Sequence, residues 1–280
     1  MKSFLKYSNL QLKIGLILLI IIFTIGFIFP LFRGSHADEW NSYPKYLKPS
    51  IEHIFGTNAL GQDIFWLLAK SIRSSLIIGL IVAFFATIIG VFLGMLAGLQ
   101  GGYVDRIISL VMDTFIVVPS LPILILIASL LKGQTSVLAM AAVLILFSWS
   151  WPARQVRSMA LSLRERDFID TACFSGESKL KILIKEFLPF ILSWSAANFI
   201  NTILSAIRME STLAVIGMSN NSLATLGTMI YWALQYQAML QGKWLWIGVP
   251  VIATIVIFGA LFMTLSGAQK YNATKRGQLA

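Results

Sequence analysis

The sequence predicts an all-α polytopic membrane protein of about six transmembrane helices, and three observations lead there. Hydrophobic residues fill 57% of the 280 positions and charged residues only 12%, against roughly 25% charged in a soluble domain, and mean hydropathy is +0.80. Apolar runs of about 20 residues, the length needed to cross a ~30 Å hydrocarbon core, recur along the chain. Between two of them lies a dense charged island, residues 153–190. It holds the cations Arg154, Arg157, Arg164, Arg166, Lys179, Lys181 and Lys185 and the anions Glu165, Asp167, Asp170, Glu177 and Glu186. At about 2.5–3.5 kcal/mol per charge at the bilayer centre, inserting the island would cost roughly 30–40 kcal/mol, so it lies in water.

The first span is the charge-free run Ile14–Phe32, preceded by Lys2, Lys6 and Lys13. Ser35-His36-Ala37 offers a weak cleavage pattern, but the run exceeds the usual ~7–15-residue signal core and more spans follow, so a retained span is expected. Residues 34–73 are polar, with Trp40, Tyr43 and Tyr46 interleaved among charges, as in a segment outside the membrane with aromatics at the interface. Ser74–Val104 is the second span. Its Gly90, Gly94 and Gly98 form a small-residue face for close helix approach, against either another helix of this chain or a second subunit.

The third span, about Ile107–Leu131, contains Pro119 and Pro122, which favour a kink, and Asp113 near one end, expected to make a structural hydrogen bond or snorkel. A turn at Lys132-Gly133 leads to the fourth span, Ser136–Trp151. In the island, Val156, Met159, Ala160 and Leu163, then Ile169, Ala172 and Cys173, then Leu180, Leu183, Ile184 and Phe187 recur at helical spacing. Two short amphipathic helices with a turn at Gly176 are expected. The fifth span opens at Pro189 and carries Arg208 and Glu210, which at this spacing point in different directions. Met218–Lys243 reads as an aromatic amphipathic segment at the outer interface, and Trp244 to about Gly267 as the last span.

The island's Asp170-Thr171-Ala172, Gly176, Ile182 and Leu188-Pro189 resemble the EAA loop of ABC-importer membrane subunits, with Asp170 in place of Glu and Thr171 in place of Ala. The stretch Phe55–Leu76 resembles the segment before the second span in permeases of the oligopeptide, dipeptide and nickel importer family. Gly56, Thr57, Gly61, Asp63, Arg73 and Leu76 match, while Asn58 and Gln62 replace an Asp and an Arg and put any ion-pair role in doubt. Glu210, Leu213 and Gly217 also fit that family, but its Pro-rich stretch ending in Trp-Gly is replaced here by residues 221–227.

The resemblance implies a cytoplasmic coupling hairpin that docks on an ATPase through Asp170, Thr171, Ala172, Gly176, Leu180, Leu183 and Ile184. From the residues alone, a stripe lying on the membrane surface remains open. The resemblance further implies a second permease, two ATPase subunits that hold ATP and Mg, and an extracytoplasmic solute-binding protein. Arg208 and Glu210 are then candidates for the translocation pathway. Peptides are the commonest family substrate, with oligosaccharides and nickel or other metal chelates as alternatives. A secondary transporter or channel is the rival from another class, but it would place more ionisable groups near the midplane.

The chain itself has no Gly-x-x-x-x-Gly-Lys-Ser/Thr loop and no His/Cys cluster, so it is expected to bind no cofactor or metal and to be no enzyme. Its single cysteine, Cys173, rules out an internal disulfide. Fourteen cations fall on the side of the island and both tails, against seven (Arg33, Lys45, Lys48, Lys70, Arg73, Lys132, Lys243) on the other. Both termini are therefore expected in the cytoplasm, and the resemblance implies the cytoplasmic (inner) membrane of a bacterial or archaeal cell. The organisation expected is residues 1–73 as tail, first helix and outer segment, 74–267 as the importer transmembrane domain, and 268–280 as a cytoplasmic tail.

Overall fold

The computed structural model describes residues 9–32, 39–131, 136–220 and 222–277. The ends of both tails, the Ser35–Ala37 pattern, the Lys132-Gly133 turn, and the side chains of Asp170, Cys173 and residues 272–277 lie outside the described residues. The described chain is helical, with α1 Leu10–Phe32, α2 Ile64–Gln100, α3 Gly102–Val117, α4 Ser120–Leu130, α5 Val137–Ser148, α6 Ser150–Arg164, α7 Asp167–Phe174, α8 Lys179–Val215, α9 Leu226–Gln235 and α10 Trp244–Gly277. Four of these are long and apolar enough to cross a membrane, and six spans result if each bent pair, α3 with α4 and α5 with α6, is one span.

Local chemistry accounts for the bends. Val118 precedes Pro119 and is extended, at φ −66° and ψ 126°, as expected where a proline ring crowds the residue before it. The axis turns there by 82°, far more than the kink expected from sequence. Two π-turns, Thr24–Ile28 and Leu183–Phe187, each end just before a proline, Pro30 and Pro189. Proline lacks an N–H and its ring excludes the carbonyl one turn back, and a widened turn accommodates both. Pro189 therefore does not start a helix: α8 runs through it from Lys179 by way of the π-turn.

The chain divides into two compact units, residues 1–78, 128–137 and 207–280 in one, 79–127 and 138–206 in the other. In the first, α1 lies along α10, with Asn9 donating to the Gly267 carbonyl at 3.3 Å and Lys270 to Gln11 at 2.8 Å. The segment before α2 is tightly bonded. Asp63 caps α2 by accepting from the Phe65 amide at 2.9 Å and also meets His53 Nδ1 at 2.7 Å. Asn58 donates to Gln62 at 2.8 Å, with both side chains buried. The two positions that lack the family's charges meet as a neutral amide pair, which is cheaper to bury than ions.

In the second unit the glycine face of α2 meets α6. A Cβ on Gly90 would lie 2.9 Å from Pro152 Cβ, one on Gly94 2.5 Å from the Ala153 carbonyl oxygen, and one on Gly98 in collision with Ala160 Cβ. Of the two packings open from the sequence, the structure has the one within the chain. This contact leads into a core of Val91, Met95, Val156, Leu163, Ile169, Ile182, Leu183, Phe187 and Ile191. Arg157 forks onto Asp105 of α3, with Nη2 to Oδ2 at 2.7 Å, and Arg154 reaches Asp113 at 3.3 Å.

Gly94→Ala should destabilise the protein by about 1–3 kcal/mol, since the obstructing atom is backbone and cannot yield. Gly259→Ala, where a Cβ would meet nothing, should be neutral or slightly stabilising. Thermal unfolding in nanodiscs measures both, and equal shifts would contradict the close contact.

Candidate functional sites: the charged hairpin and the Glu210 cluster

The charged island is three helical pieces rather than two short helices: the end of α6, all of α7 and the start of α8. Gly176 turns between α7 and α8 at φ +73°, with the Glu177 amide closing on the Ala172 carbonyl at 3.2 Å. That bond and the positive φ are those of a helix-terminating glycine. Ser178 then caps α8, accepting from the Lys181 amide at 3.4 Å. Glu177 accepts from Lys181 at 2.7 Å and lies 3.6 Å from Lys185. The Lys181 hydrogen bond holds its carboxyl below the usual range.

The predicted stripe divides. Leu183 and Phe187 are buried with Ile182 and Ile191, while Leu180 and Ile184 face outward at 58% and 56% exposure. Leu183 and Ala172 thus belong to the unit's own core and present little to any partner, a correction to their expected place on the docking surface. Residues four apart share a helix face, so the 183–187–191 row turns inward and the 180–184 row outward. Thr171 is exposed and donates its hydroxyl to the Asp167 carbonyl at 2.9 Å. The most exposed apolar side chain of the hairpin, Phe174 at 92%, went unnoticed in the sequence because it belongs to no periodic stripe. Its signal was position: a lone aromatic at a helix end beside the turn glycine of a charged segment. Phe174, Leu180 and Ile184 are exposed, and so are Arg164, Glu165, Arg166, Lys179 and Lys181 of the same segment.

Arg208 and Glu210 separate as their spacing requires. Arg208 is exposed and Glu210 fully buried. Glu210 Oε1 accepts the Thr225 hydroxyl at 2.7 Å. Thr225 is the N-cap of α9, where its side chain and that of Thr228 cap each other's backbone amides at 3.1 and 2.9 Å. The next amide, Leu226, donates to Ser75 of α2 at 3.1 Å. An enclosed carboxylate tied to a helix cap lines no open passage, so Glu210 is placed here as an anchor for α9. Among the described residues no cluster of His, Cys, Asp or Glu could hold a metal ion.

Residues 90–277 match the family described as "Binding-protein-dependent transport system inner membrane component". An oligopeptide transport system permease protein of Mycobacterium tuberculosis is 30% identical over 199 residues, 71% of this chain and 68% of that relative. One from Lactococcus lactis is 28% identical over 265 residues, 94% of this chain and 90% of the relative. A dipeptide permease of Lactococcus lactis is 33% identical over 181 residues, 64% and 52% of the two chains. Among solved structures, an inward-facing MetNI methionine ABC transporter superposes with a TM-score of 0.58 at 16% identity, covering 75% of this chain and 97% of that one. This last likeness is one of fold.

Glu210→Gln keeps the acceptor oxygen and should be tolerated, whereas Glu210→Leu leaves the Thr225 hydroxyl only its longer 3.3 Å contact to the Thr228 hydroxyl, at a cost of about 1–3 kcal/mol. Limited proteolysis around residues 218–226 should show faster cleavage in the Leu variant alone. Equal cleavage rates would remove the anchoring role.

Proposed function

The chain belongs to the inner-membrane components of binding-protein-dependent transport systems, and from that premise we propose that it is one permease of an ATP-driven peptide importer, forming half of the translocation pathway. A second, related permease supplies the other half, two cytoplasmic ATPases bind ATP and Mg and carry out hydrolysis, and an extracytoplasmic binding protein delivers the solute. Peptide is preferred to the oligosaccharides that the aromatic outer segment would also suit, because the curated relatives named above are oligopeptide and dipeptide permeases.

The observation that carries this reading is the exposed apolar group of Phe174, Leu180 and Ile184 on a water-facing hairpin whose inner face is part of a packed core. Exposed aromatic and aliphatic side chains in a segment that also exposes charges are the makeup of a protein interface. A hairpin fixed to its unit through Ile169, Ile182, Leu183 and Phe187 moves as a body with the helices behind it, so a push from an ATPase reaches the spans. Arg208, exposed on α8, remains a candidate to face the pathway.

Phe174→Ser should lower retention of the ATPase subunits during purification by roughly 1–3 kcal/mol in affinity, the scale of an interface anchor. Gly176→Val should do the same by a different route. A Cβ there meets nothing within 4 Å, so the cost is the positive φ alone, about 1–2 kcal/mol or more for a β-branched residue. Both variants should still insert and assemble with the other permease. Full ATPase retention and normal uptake in both would end the coupling role.

The fourteen-to-seven cation asymmetry supports cytoplasmic termini, with Trp40 and Tyr236 outside. In a Cys173→Ser background, an impermeant thiol reagent applied to intact cells should label a cysteine at Trp40 and spare one at Lys275. The reverse pattern would invert the orientation.

A further inference from the structure

A concavity of the first unit has no part in the coupling reading. It has a volume of about 270 Å³ and lies between the segment before α2 and the start of α10. Its walls are apolar, with Leu47, Phe55, Ile64, Trp244 and Leu245, and two ammonium groups, Lys48 and Lys243, stand among them without any carboxylate in the lining. Lys243 Nζ sits 4.8 Å from the centre of the Tyr46 ring, and Tyr46 is itself held by a 3.0 Å hydrogen bond to Gln241. Among the described residues neither lysine pairs with an acid.

We propose that this cleft is a binding site for one anionic phospholipid, with the phosphate at Lys48 and Lys243 and an acyl chain along the apolar wall. Position argues for lipid over a soluble ligand. Trp244 and Leu245, exposed at 60% and 44%, are the first residues of the apolar span α10. The cleft is thus continuous with a surface that acyl chains cover, at the depth where tryptophan rings and lysine ammonium groups meet headgroups. Charge argues for an anionic headgroup. A zwitterionic lipid offers its phosphate together with a cation, which two unpaired ammonium groups and an acid-free wall would repel. The Tyr46 ring holds Lys243 over the rim through a cation–π contact, which lowers the ordering cost of binding a phosphate.

The test is native mass spectrometry of the complete transporter released from membranes containing phosphatidylglycerol and phosphatidylcholine in equal amounts. The wild type should retain phosphatidylglycerol preferentially. Each lysine near an anionic lipid is worth about a fivefold preference, so Lys48→Gln with Lys243→Gln should reduce it roughly twentyfold. Lys48→Arg with Lys243→Arg should preserve it. Both positions are exposed, so folding is not at stake, and assembly is read in the same spectra. Equal retention of phosphatidylglycerol by wild type and the Gln variant would overturn the assignment. So would a Gln variant that keeps its lipid but loses the extracytoplasmic binding protein, which would make the cleft a protein-docking surface.

Discussion

The close approach of α2 to α6 is the contact on which the second unit depends. In lipid no hydrophobic force draws helices together, so van der Waals contact over a flat face must do it. Gly90, Gly94 and Gly98 supply that face, and the backbone of α6 at Ala153 and Ala160 fills it. With the axes this close, Val156 and Leu163 fall against Val91 and Met95, and the resulting core extends to Ile169, Ile182, Leu183 and Phe187. The Arg157–Asp105 fork fixes α6 to α3 at the same level. A hairpin rich in charged residues is thereby seated on a scaffold of apolar helices, with Phe174, Leu180 and Ile184 left exposed.

The first unit combines close glycine contacts, Gly15 against Thr264 and Gly267 against Leu12, with buried hydrogen bonds. Asp63 caps α2 and holds His53, the Asn58–Gln62 pair closes the loop before it, and Glu210 reaches the cap of α9. Each of these buried side chains has a hydrogen-bond partner, although Glu210 Oε2 has none, and partnering is the condition under which burial is affordable. Asn58 and Gln62 form a buried neutral pair, which avoids the cost of burying ions.

Spans and island were legible in the sequence because the transfer cost of charge is large and local. So was the turn at Gly176, where a left-handed residue is needed between two helical patterns. Four features were not legible. The 82° bend at Val118-Pro119 follows from a proline, but the size of a bend is set by what the helix packs on. The inward or outward fate of Leu180, Leu183 and Ile184 is ambiguous in a four-residue pattern that fits more than one helix face, and the π-turn beside Pro189 shifts the register further. Phe174 had no periodic companion. Glu210 read as a pathway residue because a carboxylate in a span is expensive, and its partner Thr225 lies fifteen positions on, in a segment with no strong pattern.

The central claim is that the outer face of the hairpin meets an ATPase subunit, and a photo-crosslinking amino acid at position 174 in the assembled transporter tests it most directly. The account predicts an ATPase adduct at position 174 and none at position 183, which faces the core. Adducts at position 174 that contain lipid, with none to an ATPase in any nucleotide state, would place the hairpin on the membrane surface and contradict the account.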